Sequence, residues 1–187
     1  KKDAYYGLME KLHVAPRQPI SRMSCGQRSQ VTLGLILAQD PDLLVLDDFS
    51  MGLDPGYRRL FIDYLKEYAK AENKTVFLTS HIISDMERLI DDCILMDYGR
   101  ILLQRPVKDL LEHLRRYGFT TRGDEPSFAD DPGIYHPGVI RSRGELFSFE
   151  GRAYVESYLH RCGLAFEGLR EESVCLEDAF IGLTGKY

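Results

Sequence analysis

No uninterrupted apolar run in this sequence approaches the length of a bilayer crossing. The longest, near Val31–Ala38, falls far short of the ~18–20 residues a spanning helix needs. No cleavable leader is visible, and the first residue is Lys1 rather than Met, which points to a start upstream or to a trimmed one. Cysteine is scarce: Cys25, Cys93, Cys162 and Cys175 are too few and too scattered for a disulfide framework. None forms a C-x-x-C pair, which disfavours a zinc site, so reduced thiols are expected. Positive charge is not in excess. With 24 Lys+Arg against 29 Asp+Glu the net charge is −5, which argues against nucleic acid bound through bulk charge. Internal repeats and low-complexity tracts are absent as well.

The 187 residues, 44% hydrophobic and 28% charged, suffice for one ordinary domain or a domain with a small appendage. Residues 1–22 show a short helical pattern through Tyr5, Leu8, Met9 and Leu12 that stops at Pro16 and Pro19. Met23–Gln39 reads as a helix apolar nearly all round, hence buried on most sides. Leu43-Leu-Val-Leu46, ending in Asp47-Asp48, fits a strand covered on both faces, as in a parallel sheet. Asp54-Pro55 is an N-cap with Pro at the first helical position. The helix it opens repeats Leu60, Phe61, Tyr64, Leu65, Tyr68 and Ala69, with Asn73 as its C-cap. Thr75–Leu78 is predicted as a second buried strand, followed by a short helix through Ile83, Met86, Leu89 and Ile90. Cys93–Met96 is a third strand, returning through Asp97-Tyr-Gly-Arg100 as a hairpin over Ile101–Leu103. This alternation marks an α/β sheet.

The pattern changes after Arg105-Pro106, so residues 1–105 and 106–187 are expected to be separate domains, the second a small α+β unit. A helix is expected over Val107–Tyr117 and turns or loop over Thr120–Gly138. Strands are expected at Val139–Arg143 and Glu145–Glu150 around Gly144, with a helix over Arg152–Cys162. A last helix carries Leu176, Ala179, Phe180 and Leu183 on one stripe, expected to be buried where it docks on the first domain.

Three blocks carry chemistry. Met23-Ser-Cys-Gly-Gln27 lies at the mouth of a helix, where Ser24 and Gly26 leave free backbone N–H groups and a positive dipole end suited to an anion. Asp47 sits at the carboxyl end of a strand, where open α/β sheets bind ligands, and an Asp there can hold Mg²⁺ through water. Asp48 beside it can orient an attacking water, and His81, closing Leu78-Thr-Ser-His81, can reach the same edge. Each block alone is ordinary: an N-cap, an acidic turn, a strand end. The order and spacing of all three together are not.

That conjunction resembles the nucleotide-binding subunit of ABC transporters. Met23-Ser24-Cys25-Gly26-Gln27 is similar to the signature motif, and Leu43–Asp48 to the Walker B strand with the acidic residue after it. Gly52-Leu53-Asp54-Pro55 resembles the D-loop, and Thr79-Ser80-His81 the switch histidine. The resemblance covers residues 1–104, and Leu176–Gly185 is similar to the closing segment of export-type ATPases. Four positions depart from the pattern: Cys25 replaces a Gly, Asp48 a Glu, Phe49 a Pro and Gln30 an Arg. The shorter Asp48 withdraws the carboxylate by ~1 Å, a misplacement that can cost on the order of 100-fold. No G-x-x-x-x-G-K-[ST] is present; the end at Gly185-Lys186 imitates one, but Phe180 stands where its first Gly belongs.

The resemblance implies the C-terminal portion of a P-loop NTPase of the RecA-like, ABC type, lacking the Walker A half. It implies ATP and Mg²⁺ as cofactors, with Asp47 on the metal, Asp48 and His81 catalytic, and Ser24, Cys25, Gly26, Gln27 and Asp54 at the nucleotide. Partners would be a second ATP-binding subunit and separate transmembrane permease chains, with no nucleic acid. The place would be the cytoplasmic side of the membrane. The work would be ATP hydrolysis driving transport, export by the tail. The rival reading is a catalytically degenerate, nucleotide-sensing partner that keeps the signature helix to complete another subunit's site. In the family's sheet the strand leading into the Walker loop separates the strand ending near His81 from Cys93–Met96. Those two strands are therefore not expected to pair with each other.

Overall fold

The computed structural model describes residues 1–15, 17–122 and 127–185. Pro16, the middle of the expected loop at 123–126, and Lys186 of the false phosphate-loop end lie outside them. The chain forms two compact units, Lys1–Leu89 and Ile90–Tyr187.

In the first unit, α1 (Lys2–Lys11) packs on α2 (Cys25–Ala38), with a 3-10 turn at Ile20–Arg22 between them. The crossing is close because Gly34 has no side chain: a Cβ there would come within 2.7 Å of Met9 Cε. α2 is not buried all round. Val31, Leu33, Gly34 and Leu37 face inward, while Leu35 is 52% exposed.

β1 (Leu43–Asp47) pairs in parallel with β2 (Thr75–Thr79), Leu43 opposite Thr75 and Asp47 opposite Thr79. The two-faced burial expected of these strands does not hold. Leu44 and Leu46 are buried, whereas Leu43, Val45 and Phe77 are 54%, 66% and 55% exposed. An apolar run reports what a strand is suited to lie between; the described residues supply a cover for one face.

α3 (Pro55–Ala71) joins β1 to β2 and buries Phe61, Ile62, Leu65 and Tyr68. Each such side chain contributes ~1.5–3 kcal/mol when fully removed from water. The helix ends one residue earlier than expected, at the Glu72 cap. Asn73 follows in the left-handed region at φ 50°, and the Lys74 N–H donates back to Ala69 O at 2.8 Å, a Schellman closure. A single turn, α4 (Ile83–Met86), follows β2.

The second unit opens with the expected hairpin, β3 (Asp92–Asp97) against β4 (Arg100–Pro106), turning at Tyr98-Gly99 with both φ positive. α5 (Val107–His113) is shorter than expected, because residues through Thr121 become β5 (Arg115–Thr121). With β6 (Ile134–Ile140), β7 (Arg143–Ser148) and β8 (Phe166–Ser173) it makes an antiparallel sheet in the order β6-β7-β5-β8. β5, β8 and the first half of β6 were not foreseen. The β6–β7 turn sits at Arg141-Ser142, not at Gly144. Gly144 is in the strand opposite Phe119, where a Cβ would lie 2.1 Å from the ring.

α6 (Arg152–Arg161) covers one sheet face, its Val155, Tyr158 and Leu159 buried in one cluster with Tyr117, Phe119 and Leu146. Burial pushes the Tyr117 phenol up to about 12, and its hydroxyl donates to Glu150 O at 3.0 Å. α7 (Leu176–Thr184) packs on β6, β7 and α5 of its own unit, with Gly182 against the Phe147 ring. Leu176 and Ala179 are buried; Phe180 and Leu183, expected to match them, are half-buried.

One carboxylate pins the α6 side of this unit. Asp131 accepts from Tyr154 Oη at 2.5 Å and Gly133 N at 2.9 Å, and pairs with Arg161 at 2.5 Å. The Tyr154 hydrogen bond, with those from Gly133 and Arg161, holds its carboxyl below the usual carboxylate range. A depressed folded-state pKa contributes stability above the unfolded value, and that stability is lost as pH falls through the folded one. Asp131→Asn is therefore expected to lower the thermal midpoint at pH 7 and to do so much less at pH 2. Equal shifts at the two pH values would count against a charged role.

Candidate functional site

The parallel register ends β1 and β2 level, so the residues that follow them share one edge. The Thr79 hydroxyl donates to Asp47 Oδ1, directly across the pair. The Asp48 N–H donates to Thr79 O at 3.1 Å, which turns the chain at Asp48, φ 45°, and sends its side chain toward the segment after β2. There His81 Nδ1 meets the Asp48 carboxylate at 2.9 and 2.8 Å from its two oxygens. His81 remains 65% exposed, open to a ligand.

Phe49, the departure from Pro, has a structural reason. Its ring is buried and packs on Phe61 of α3 at 5.4 Å, which seats the loop immediately after Asp48. Asp54 caps α3, its Oδ1 accepting from Gly56 N at 3.1 Å and Tyr57 N at 3.3 Å.

At the mouth of α2, Ser24 and Gln27 form a capping box. Ser24 Oγ accepts from Gln27 N at 3.2 Å, and Gln27 Oε1 accepts from Ser24 N at 3.0 Å. Cys25 is the first helical residue and is exposed. Gly26 lies against the loop before α3, where a Cβ would come within 3.1 Å of Gly52 O. Gly52, at φ 79°, leaves only 3.3 Å between its own Cβ position and Cys25 Sγ. Two groupings result: Asp47, Asp48, Thr79 and His81 at the strand ends, and Ser24–Gln27 against Gly52.

The sequence motifs give Thr79 no role of its own; its place opposite Asp47 depends on the strand register. Arg58 and Asp85 belong to no motif. Arg58 Nε meets Asp85 Oδ2 at 2.5 Å, and no motif relates α3 to α4. Among the described residues no cluster of three or more His, Cys, Asp or Glu could hold a metal by protein ligands alone. Asp47 with the Thr79 hydroxyl suits instead an ion that keeps most of its ligands from water and phosphate, as Mg²⁺ does.

The comparisons with known proteins bear on the same stretch. A family model described as "AAA domain, putative AbiEii toxin, Type IV TA system" matches residues 12–84. Nod factor export ATP-binding protein I of Neorhizobium galegae is 33% identical over 177 residues, 89% of this chain and 48% of that protein. The chain resembles part of an ABC transporter ATP-binding subunit. Energy-coupling factor transporter ATP-binding protein EcfA2 of Staphylococcus aureus (strain MRSA252) is 37% identical over 91 residues, 49% of this chain and 32% of that protein. Among solved structures, cbiO1 from Clostridium perfringens, part of the ABC transporter complex cbiONQ, superposes with TM-score 0.50 at 24% identity. That match covers 59% of this chain and 45% of cbiO1, and it shows the fold alone, the α/β fold of that ATP-binding subunit. The chain thus spans about half the length of the Nod factor export relative and about a third of EcfA2.

Proposed function

We propose that this chain supplies the signature-to-switch portion of the ATP-hydrolysing subunit of an ABC exporter, with the phosphate-cradling loop contributed outside it. The observation that carries the reading is the joining of Asp48 to His81 at the level ends of β1 and β2, with Asp47 beside them. Mg²⁺, when present, would neutralise developing charge on the phosphates. Asp47 and the Thr79 hydroxyl, bonded to each other, would hold it through water. Asp48 orients and polarises the attacking water. His81, fixed through Nδ1, keeps Nε2 for a γ-phosphate oxygen. Loose, in-line phosphoryl transfer asks for little beyond such positioning and charge.

Ser24, Cys25, Gly26 and Gln27 are offered to the nucleotide of a second ATP-binding subunit. Their contact with Gly52, two residues before Asp54, supports a role for Asp54 in signalling across that dimer. Separate permease chains would carry the crossing, since among the described residues no helix is long and apolar enough to span a membrane. The subunit would then sit on the cytoplasmic face through them. Export is favoured over import because the Nod factor export relative aligns over 89% of this chain and EcfA2 over 49%. The segment from 106 onward is then an accessory domain, and residues 1–105 serve the motor.

The test is Mg²⁺-dependent ATP turnover by the complete subunit assembled with its permease. Turnover should fall about 100-fold or more in Asp47→Ala, as expected when one preorganised electrostatic element is removed. Residues 1–187 alone should show none. Turnover by residues 1–187 alone, abolished by Asp47→Ala, would refute the division of the site.

A further inference from the structure

The segments that follow β1 and β2 are joined at several places, two of them through ionisable side chains on both sides. The first is the Asp48–His81 contact already described. The second lies further along both segments, where Arg58 Nε in the first turn of α3 meets Asp85 Oδ2 in α4 at 2.5 Å. Both atoms are shielded from solvent and make no aligned hydrogen bond, so the contact is a charge pair, although the side chains as wholes are 21% and 28% exposed. Arg58 is also bonded to the D-loop through its backbone, its N–H donating to Asp54 O at 2.9 Å. Asp85 is four residues beyond His81 on a segment with little structure of its own: the Ser80 hydroxyl accepts from Ile82 N at 3.0 Å, and a single helical turn follows.

The His81 segment is held at its start by the end of β2 and the His81–Asp48 contact, and at its far end by buried Met86 and by Lys66 Nζ of α3, which donates to Arg88 O at 2.5 Å. The Arg58–Asp85 pair is the tie between these anchors, nearest the site. A mostly exposed contact such as His81–Asp48 is weakly fixed. A charge pair out of water is different, because removing one partner leaves the other uncompensated. We propose that Arg58 and Asp85 are positioning residues for the phosphoryl-transfer step, holding the His81 segment in register with Asp48 and linking it mechanically to Asp54. The inference rests on the ATPase reading above. Arg58 and Asp85 touch no reacting atom. They act by fixing the distance between the two loops that carry Asp48, Asp54 and His81.

The experiment uses the complete subunit with its permease and compares Arg58→Gln, Asp85→Asn and the exchanged pair Arg58→Asp with Asp85→Arg. Turnover is counted per nucleotide-binding subunit, so that loss of folded protein does not enter, and thermal midpoints are recorded alongside. Each single variant should lower kcat about tenfold with KM for ATP nearly unchanged, as expected of a small misplacement remote from the nucleotide. The exchanged pair should recover most of that loss, which a contribution to folding alone would not produce in kcat at constant KM. Single variants with wild-type kcat would overturn the proposal, as would an exchanged pair as slow as the singles. If a single variant does not fold, the exchanged pair decides by the same criterion. Absence of Mg²⁺-dependent turnover in the wild-type complete subunit would instead overturn the ATPase reading, and the inference with it.

Discussion

Asp48→Asn in the complete subunit should reduce ATP turnover by about 10²–10⁴-fold, the usual worth of a positioned acid–base group. The amide keeps the shape and one acceptor for His81 but loses the basicity that polarises water. Asp48→Glu should act in the opposite direction on the rate, because the extra methylene carries the carboxylate toward the attacking water. It should also carry a stability cost. Asp48 sits at φ 45°, a region in which Asp is tolerated and longer residues are disfavoured by roughly 1–2 kcal/mol. The short carboxylate at this position therefore has a backbone cause as well as a catalytic consequence. Saturating turnover and the thermal midpoint, measured on both variants, separate the two. Equal and unchanged rates would remove Asp48 from the chemistry and favour a regulatory, nucleotide-sensing subunit.

Gly144→Val should disrupt the second unit while leaving the site residues untouched. A Cβ at Gly144 would fall 2.1 Å from the Phe119 ring, and that ring is itself 4% exposed and part of the α6-side core. Neither strand can retreat, since β5 pairs on both sides, with β7 and β8. Forced overpacking of this kind costs ~1–3 kcal/mol, and a whole isopropyl group on a strand with no free volume belongs at the upper end. Denaturant unfolding of the whole chain followed by the near-ultraviolet tyrosine signal would check it, as a lowered midpoint for Gly144→Val. A midpoint equal to wild type would show that the ring can move.

The two readings differ in how far the sequence could support them. The site was legible because its residues sit at strand ends and helix caps, places defined by local chemistry. Ser24 with Gln27 and Asp54 with Pro55 each satisfy backbone groups within a few residues of themselves. Asp47 and Asp48 follow a strand whose apolar run announces it. What joins the site across the chain was less legible. Thr79 facing Asp47 depends on strand register, and Arg58 meeting Asp85 depends on how α3 lies beside α4. The second unit was the harder part. β5 runs straight on from α5 with no Gly or Pro between, so its beginning read as helix. Gly144 looked like a turn because the reason for a glycine there, an aromatic ring on the neighbouring strand, is invisible in one strand alone. Arg141 at φ 61° makes the turn instead, without a residue that advertises it.

The bare face of β1 and β2 has a thermodynamic signature. Leu43, Val45 and Phe77 stand on a sheet of two strands, and the outer edge of each strand presents backbone groups with no strand partner among the described residues. Such a surface is sticky in two directions, through its side chains and along its edges. Attraction between apolar faces weakens on cooling and strengthens with sulfate or phosphate. Attraction between opposite charges is screened by any salt. Association through this face is therefore loosened by cold and low salt, so chilling favours the dispersed chain and salting favours its assemblies.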